Sequence, residues 1–173
     1  VIAATGECSN ENEFDPKGNP GLGDSVPPSS TTIKTVTFTA DNVHDFAWFA
    51  SKSFGYASKS VKIGDREVIA RVVASEPNKR DLDHIETALT YYSENVGEYP
   101  YSHATAVHGE LKAGGGMEYP MITICDEMGE EVIIHEVGHN WFYGILASNE
   151  RVYPWMDESI NSFFEGKAMH NGK

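Results

Sequence analysis

Basic residues are scarce in this sequence of 173 residues, which has 13 lysines and arginines against 26 aspartates and glutamates and a formal net charge of −13. A protein that binds nucleic acid neutralises phosphates with a surface of lysine and arginine. So few basic residues do not easily supply one, and we expect no nucleic-acid partner. The acidic excess is compatible with solubility and with attraction of cationic substrates, but it identifies no substrate.

Long apolar runs are also missing. No run reaches the roughly 18 residues that cross a bilayer, so we expect no membrane span in this segment. The first residues, VIAATGECSN, contain neither an initiator methionine nor a basic stretch, and they do not have the pattern of a signal peptide. Only Cys8 and Cys125 could form a disulfide. That pairing is left open, and Cys125 is most simply a small buried residue.

Alternating and continuous apolar stretches predict the strands. Five such stretches, bounded by Gly, Pro, Ser and Asn, are 1–5, 32–40, 60–75, 103–111 and 114–125. The third is predicted to be a hairpin that turns at Gly64 and Asp65. The last is predicted to be a glycine turn that leads into one apolar strand. Pro, Gly, Ser and Asn dominate residues 9–32, which are therefore predicted to be a loop.

Helices are predicted mainly in the second half of the chain. Apolar residues recur at spacings of three and four over 81–96, and these are Leu82, Ile85, Leu89, Tyr92 and Val96. Further helices are predicted at about 127–147 and 157–170. The aromatic-rich stretch 41–58 is expected to be buried, without a defined type. Strands followed by helices predict the α+β class.

Residues 131–141, EVIIHEVGHNW, place two histidines in apolar surroundings with a glutamate directly after the first. Positions i and i+4 of a helix share a face, so His135 and His139 can direct two imidazoles at one point, as a tetrahedral metal requires. Glu136 lies about 100° around the helix and can reach a water at that metal without being a ligand. This HExxH arrangement is typical of zinc peptidases. Without such a role, three polar groups in an apolar helix would need other partners.

A catalytic zinc site takes three protein ligands and keeps one position open. The stretch PWMDESINSFFE offers Glu158, and eighteen residues separate it from His139. Asp157 and Glu165 remain as alternatives for the third ligand, although neither has this spacing. The other histidines lack motif partners and are expected to be structural or exposed, namely His44, His84, His103, His108 and His170.

HEVGHNW together with Glu158 resembles the gluzincin aminopeptidases, the aminopeptidase N-like group, whose pattern is HExxH, eighteen residues, then Glu. The resemblance covers roughly 44–173. It implies that His135, His139 and Glu158 bind Zn²⁺ as the cofactor and that Glu136 is the catalytic base. In that chemistry Glu136 accepts the proton of the attacking water and delivers it to the leaving amine.

The second motif of that family, G-x-M-E-N, is resembled by GGGMEYP at 114–120. It implies a substrate-binding role for Gly115, Gly116, Met117 and Glu118. Glycines let a peptide backbone approach closely, and the strand that follows can pair with it as an added edge. Glu118 would pair with the α-ammonium of peptide substrates with a free N-terminus, which limits cleavage to one residue. Tyr119 stands where the family has Asn, so a contact that needs that amide is not expected.

The resemblance also implies a fold: part of a thermolysin-like catalytic domain, a mixed β-sheet followed by zinc-binding helices, preceded by the end of a β-domain. Residues 1–43 are expected to be the C-terminal end of an N-terminal β-domain with a mobile loop, and 44–173 the N-terminal part of the catalytic domain. The family stabilises its oxyanion with a tyrosine well downstream of the third ligand, a place that neither Tyr143 nor Tyr153 matches. We therefore expect an excerpt of a larger enzyme, completed by a C-terminal helical part of the same protein.

Two other functions stay open. A thermolysin-like zinc endopeptidase would use the same ligands without anchoring the substrate amine. A non-catalytic zinc-binding or peptide-binding module would hold the metal without turnover. The presence of Glu136 argues against the module, because a purely structural site has no use for a base.

Overall fold

The computed structural model describes residues 1–10 and 30–171. Strand β1 (Ile2–Ala4) confirms the strand predicted at 1–5. A second short strand, β2 (Glu7–Cys8), pairs antiparallel with β3 (Phe38–Thr39). β1 pairs in the same way with β4 (Trp48–Ala50). Most of the loop predicted at 9–32 lies outside the described residues.

The main sheet has five strands: β5 (Gly55–Ile63), β6 (Arg66–Ala74), β7 (His103–His108), β8 (Gly116–Tyr119) and β9 (Ile122–Cys125). Their order across the sheet is β5-β6-β7-β9-β8. β7 is parallel to both of its neighbours, whereas the two outer pairs are antiparallel. The sheet is therefore mixed, and β8 is one of its edges.

The predicted hairpin over 60–75 is confirmed, and its turn contains Gly64 with a φ of 58°. That left-handed backbone conformation is one that glycine adopts without steric cost. The helix that follows, α1 (Lys79–Asn95), connects two parallel strands, β6 and β7. Its N-terminus is capped by Asn78, whose side chain accepts a hydrogen bond from the backbone N–H of Asp81.

The helices of the second half are divided differently from the prediction. α2 (Glu130–His139) continues into a first π-helical segment (Asn140–Ile145), so the single helix predicted at about 127–147 is a composite. A second π-helical segment (Trp155–Ser159) continues into α3 (Ile160–Asn171). π-Helical turns inside helices are frequent at functional sites. None of the helices in the described ranges is long and apolar enough to cross a membrane.

The main core lies between the sheet and these helices. The apolar face predicted for α1 is buried there at Leu82, Ile85, Leu89 and Tyr92, while Val96 is the exposed cap of the helix. A smaller cluster covers the opposite sheet face, where Ala3, Ala47 and Phe49 pack against residues of the strands. A mixed sheet with helices on one face confirms the α+β class.

Several local predictions are wrong for lack of a packing partner. Only Phe38–Thr39 of the strand predicted over 32–40 pairs with another strand, since residues 31–35 are exposed. In the aromatic-rich stretch, Phe46 and Trp48 are exposed rather than buried. β-Propensity stabilises a strand only where a neighbouring surface receives it. His84 is half-buried, and its Nε2 atom has no hydrogen-bond partner.

The GGGMEYP region also differs from its prediction. The motif itself forms the edge strand β8, and the apolar run ITIC forms the interior strand β9, so 116–125 is a hairpin rather than a turn before one strand. The two residues between the strands are Pro120 and Met121, and Met121 has a φ of 68°. This arrangement presents the glycine-containing strand, not the ITIC strand, at the sheet edge. Cys125 is fully buried and both cysteines are free.

Candidate active site

Helix α2 presents two histidines from one face. The Nε2 atoms of His135 and His139 lie 3.0 Å apart, and their rings are nearly perpendicular. His139 is almost wholly buried, whereas one fifth of the His135 side chain is exposed. The i, i+4 spacing therefore brings the two imidazoles to one point, as the sequence predicts.

Glu158 comes to the same point from the second π-helical segment. Its Oε2 atom lies 3.3 Å from Nε2 of His135 and 3.7 Å from Nε2 of His139. Its side chain is 54% exposed, so this side of the cluster faces solvent. The three predicted ligand residues thus form one group that is open on one side.

The outward-facing nitrogens of both imidazoles are held by carboxylates. Nδ1 of His135 lies 2.8 Å from Oε2 of Glu165, and Nδ1 of His139 contacts Oδ1 of Asp157. A carboxylate on Nδ1 fixes the proton there and leaves the Nε2 lone pair free for a metal. Burial disfavours the charged form of His139, but the hydrogen bond that it donates to Asp157 and the nearby Glu118 carboxylate raise its pKa. Asp157 and Glu165, the alternative third ligands, thus contact the far nitrogens instead.

The donor set fits a zinc ion. Two imidazole nitrogens and one carboxylate oxygen are the ligand types of catalytic zinc sites. Bond lengths of about 2.0–2.1 Å in a tetrahedron separate ligand atoms by about 3.3–3.4 Å. The three separations here, 3.0, 3.3 and 3.7 Å, lie around that value.

Two other groups of potential ligands overlap this one: Glu118 with Glu136 and His139, and Glu118 with Asp157 and Glu158. The first would use one imidazole and two buried carboxylates, and the second only carboxylates. Zinc favours the nitrogen-rich set, while carboxylate sets suit harder cations. Of these three groups among the described residues, the one formed by His135, His139 and Glu158 has the donor atoms that best suit zinc.

Glu136 lies beside these ligands and is 5% exposed. Its Oε2 atom is 3.5 Å from the hydroxyl of Thr123 on β9. Burial, opposed by His139 and reinforced by Glu118 and Glu158, raises the pKa of Glu136 to about 8. A carboxylate whose pKa lies near neutrality is suited to accept and return a proton.

Glu118 projects from the edge strand β8 toward the same cluster and is 7% exposed. Its carboxylate lies within 4.8 Å of the ligand atoms of both His139 and Glu158. Burial raises the pKa of Glu118, and His139 counteracts that effect. Of the other motif residues, Gly116 and Met117 lie in β8, whereas Gly115 precedes it with a φ of 71°.

A buried network that the sequence did not indicate ties the ligand helix to its neighbours. Asn161 of α3 donates to the backbone carbonyl of His135 at 2.8 Å and accepts from the hydroxyl of Tyr92 on α1 at 2.8 Å. Both side chains are fully buried. One amide therefore links all three helices at the level of the first histidine. A polar asparagine within the largely apolar stretch INSFF is the sequence feature that could have indicated this network.

The fold has counterparts among solved structures, whereas no sequence-family model and no curated protein match the chain. An M1 zinc metallopeptidase from Deinococcus radiodurans matches 95% of this chain with a TM-score of 0.65 and 16% identity. A variant of the enzyme from that organism bound to a Tyr-Ser-Ala substrate matches with a TM-score of 0.63 and 15% identity. Legionella pneumophila aminopeptidase A, in complex with aspartic acid, matches 99% of the chain with a TM-score of 0.70 and 11% identity.

This chain spans only part of those proteins. It covers 36% of the Deinococcus chains and 21% of the Legionella chain. At identities of 11–16% such a likeness shows the architecture and not the activity. The chain therefore has the mixed α+β fold of part of an M1 zinc metallopeptidase.

Proposed function

We propose that this chain carries the metal site and the amine anchor of a zinc aminopeptidase. The observation that carries the proposal is the orientation of two imidazoles: both Nε2 atoms face Glu158, and both Nδ1 atoms contact carboxylates. Two further carboxylates, Glu118 and Glu136, border the same point. The fold shared with M1 zinc metallopeptidases supports this reading.

His135, His139 and Glu158 would hold the zinc ion. When bound, zinc supplies a Lewis acid that polarises the substrate carbonyl and acidifies a water. Asp157 and Glu165 keep both imidazoles in the tautomer that binds metal. The 54% exposure of Glu158 leaves the approach to this centre open to substrate.

Glu136 is the proposed proton carrier. It accepts a proton from the attacking water and passes it to the nitrogen of the leaving peptide. Its buried position makes the neutral carboxyl attainable near neutral pH, so it can hold the proton between the two transfers. Thr123, at 3.5 Å, restrains the carboxylate beside the ligands.

Glu118 is the proposed amine anchor. Its carboxylate lies within 4.8 Å of ligand atoms, so an α-ammonium paired with it would place the first peptide bond next to the metal site. The outer edge of β8 can align the substrate backbone as an added strand. Together these contacts limit cleavage to the N-terminal residue.

The oxyanion requires a donor besides the metal. Following the resemblance described above, we assign that role to a tyrosine outside this chain, in a C-terminal helical part of the same protein. Large apolar side chains are exposed on the segments that follow α2 along the chain and offer a surface for that part, namely Ile145, Leu146, Val152, Tyr153, Trp155 and Phe163.

The test compares free-amine peptides with N-acetylated peptides of the same sequence, in the protein at its full natural length. Glu118→Gln keeps the shape of the side chain and removes its charge, and it should lower kcat/KM for free-amine peptides about a hundredfold. It should leave blocked peptides unaffected. The matched control is Glu127→Gln, an exposed glutamate outside the site. Equal losses on both substrate classes would instead support an endopeptidase, and zinc binding without turnover on either would support a non-catalytic module.

A further inference from the structure

The side chain of Asn140 connects α2, the helix that carries the two histidines, to the hairpin formed by β8 and β9. Asn140 follows His139 directly, begins the first π-helical segment and is 4% exposed. Its Oδ1 atom accepts from the backbone N–H of Met121 at 2.8 Å, and its Nδ2 atom donates to the carbonyl of Val137 at 2.9 Å. One side-chain amide thus contacts both the end of α2 and the turn between β8 and β9.

The turn that Asn140 contacts is strained. Met121 has a φ of 68°, in the left-handed region that residues with a side chain rarely adopt. Its backbone N–H is bound by Asn140, and its carbonyl accepts from the N–H of Thr105 at 2.9 Å. Such a conformation persists when surrounding contacts determine it. Asn140 supplies one of these contacts, and β7 supplies the other.

The chemistry of the site favours an amide at position 140. The Oδ1 atom also receives a hydrogen bond from the hydroxyl of Tyr99 at 3.3 Å, so it accepts from two donors while the NH₂ group donates to a third group. An apolar residue of equal size would leave the backbone N–H of Met121 without this acceptor, whereas the hydroxyl of Tyr99 would keep its hydrogen bond to the carbonyl of His103 at 2.9 Å. Aspartate would retain the acceptor and lose the donor. The two functions of the side chain can therefore be separated by substitution.

The hairpin that ends in this turn carries the proposed amine anchor. Glu118 lies three residues before Met121. Its strand, β8, is an edge strand of the sheet within the described residues. The position of the turn relative to α2 determines the position of Glu118 relative to His139. A shift of the hairpin would change the separation between the amine anchor and the metal ligands, which decides which peptide bond is attacked.

We propose that Asn140 is a positioning residue that fixes the amine anchor against the metal ligands and thereby sets removal of one residue per turnover. This inference rests on the function proposed above. It assigns to Asn140 no contact with substrate or metal. Its effect is transmitted through the backbone N–H of Met121 and the strand β8.

The experiment compares Asn140→Leu with Asn140→Asp, and Asn95→Leu serves as the control. Asn95 is an exposed amide on α1 that donates to the carbonyl of Tyr91 and lies outside the site. Amide hydrogen exchange at Met121 and zinc affinity are measured on the protein at its full natural length. The ratio of kcat/KM for free-amine over N-acetylated peptides is measured on the protein at full length.

The leucine variant should exchange the Met121 amide at least about tenfold faster and bind zinc with unchanged affinity. Its substrate ratio should fall about tenfold, mainly through KM. The aspartate variant, which keeps the acceptor for Met121, should retain most of that ratio. If the leucine variant does not fold, Asn140→Ala removes the same contacts at a smaller volume.

Three results would overturn the inference. A substrate ratio that stays unchanged while the Met121 amide exchanges faster would show that the turn does not position Glu118. A parallel loss of zinc affinity would show that Asn140 acts through His139 instead. A wild-type protein without preference for free amines would refute the proposed function, and this inference with it, so the two failures are distinguishable.

Discussion

Gly116 of the edge strand lies directly against the carboxyl group of Glu136 on α2. A Cβ atom at Gly116 would stand 2.5 Å from the Cγ, Cδ and Oε1 atoms of that side chain. Contacts so short are not tolerated, so either the strand or the glutamate would have to move. A residue with a side chain therefore fits at position 116 only if the carboxyl group of Glu136 or the strand is displaced.

Replacing Gly116 with alanine should consequently impair the base while leaving the metal ligands in place. We expect Gly116→Ala to lower kcat by about two orders of magnitude, the lower end of the roughly 10²–10⁴-fold that a positioned general base contributes. Zinc content should remain at one ion per chain. Steady-state kinetics at full length and metal analysis of the chain check the two parts. The control is Gly97→Ala, where a Cβ would meet nothing within 4 Å; equal activities of the two variants would contradict the role of Gly116.

Removing a carboxylate behind a ligand should weaken metal binding. Glu165→Ala frees Nδ1 of His135, and we expect about a tenfold to hundredfold lower zinc affinity because the imidazole loses its fixed tautomer. Competition with a chromogenic chelator measures this affinity. Glu127→Ala should bind zinc like the wild type. His135→Ala should abolish stoichiometric binding, and an unaltered zinc content in that variant would remove the basis of the proposed site.

The side chains of Asn161 and Tyr92 should stabilise the fold as one hydrogen-bonded pair, so that their contributions are not additive. Asn161→Leu removes the side-chain donor to the carbonyl of His135 and the nearer acceptor of the Tyr92 hydroxyl, which keeps only the backbone carbonyl of residue 161 at 3.3 Å. We expect a loss of about 1–3 kcal/mol in the free energy of unfolding. Tyr92→Phe should lose about 1 kcal/mol. The double variant should lose less than the sum, because both single changes break the same bond. Urea unfolding of the wild type, both single variants and the double variant gives the four free energies of a double-mutant cycle. Strictly additive losses in these free energies would contradict the hydrogen bond between the two side chains.

Acid should destabilise the chain through His103. Burial, with a smaller contribution from Arg71, lowers the pKa of this histidine to about 3, from about 6.5 in the unfolded chain. The folded state then binds fewer protons between these values, so the stabilisation is complete above about pH 6.5 and is lost as the pH falls toward 3. The expected slope is about 1.4 kcal/mol per pH unit from this one group.

The contribution of His103 to the pH dependence of the free energy of unfolding can be measured by comparing the wild type with a variant that lacks this histidine. His103→Gln removes the titrating group, while carboxylates that titrate in the same range remain common to both proteins. The free energy of unfolding of the variant should therefore fall less steeply below pH 6 than that of the wild type. His170→Gln, at an exposed position on α3, should follow the wild type. Parallel curves for wild type and His103→Gln would show that His103 does not carry this dependence.

Local patterns predicted much of the scaffold because their causes are local. The apolar spacing of α1 and the glycine turn at Gly64 depend on residues near in sequence, and both predictions are confirmed. The i, i+4 relation of His135 and His139 depends only on helical geometry. The roles assigned to these histidines and to Glu158 remain predictions, although their side chains do come together.

Partners that come from distant segments could not be predicted. Which carboxylate faces Nε2 and which faces Nδ1 depends on how the second π-helical segment and α3 pack against α2. The sequence left Asp157 and Glu165 as alternatives to Glu158 for the third ligand, although neither has its eighteen-residue spacing from His139. The hairpin at 116–125 was missed for a related reason: its turn residue, Met121, adopts a backbone conformation that its own type disfavours. Asn140, nineteen residues away, helps to hold that conformation.

The short edge strand limits what substrate length can contribute to recognition. β8 has four residues, Gly116–Tyr119, and the outward-facing backbone groups of a strand belong to every second residue. A peptide laid along it can therefore form only about two pairs of backbone hydrogen bonds. Once a peptide extends past this strand, further residues add no contact here. The edge should thus bind tetrapeptides and much longer chains with similar affinity and discriminate by the first residues alone.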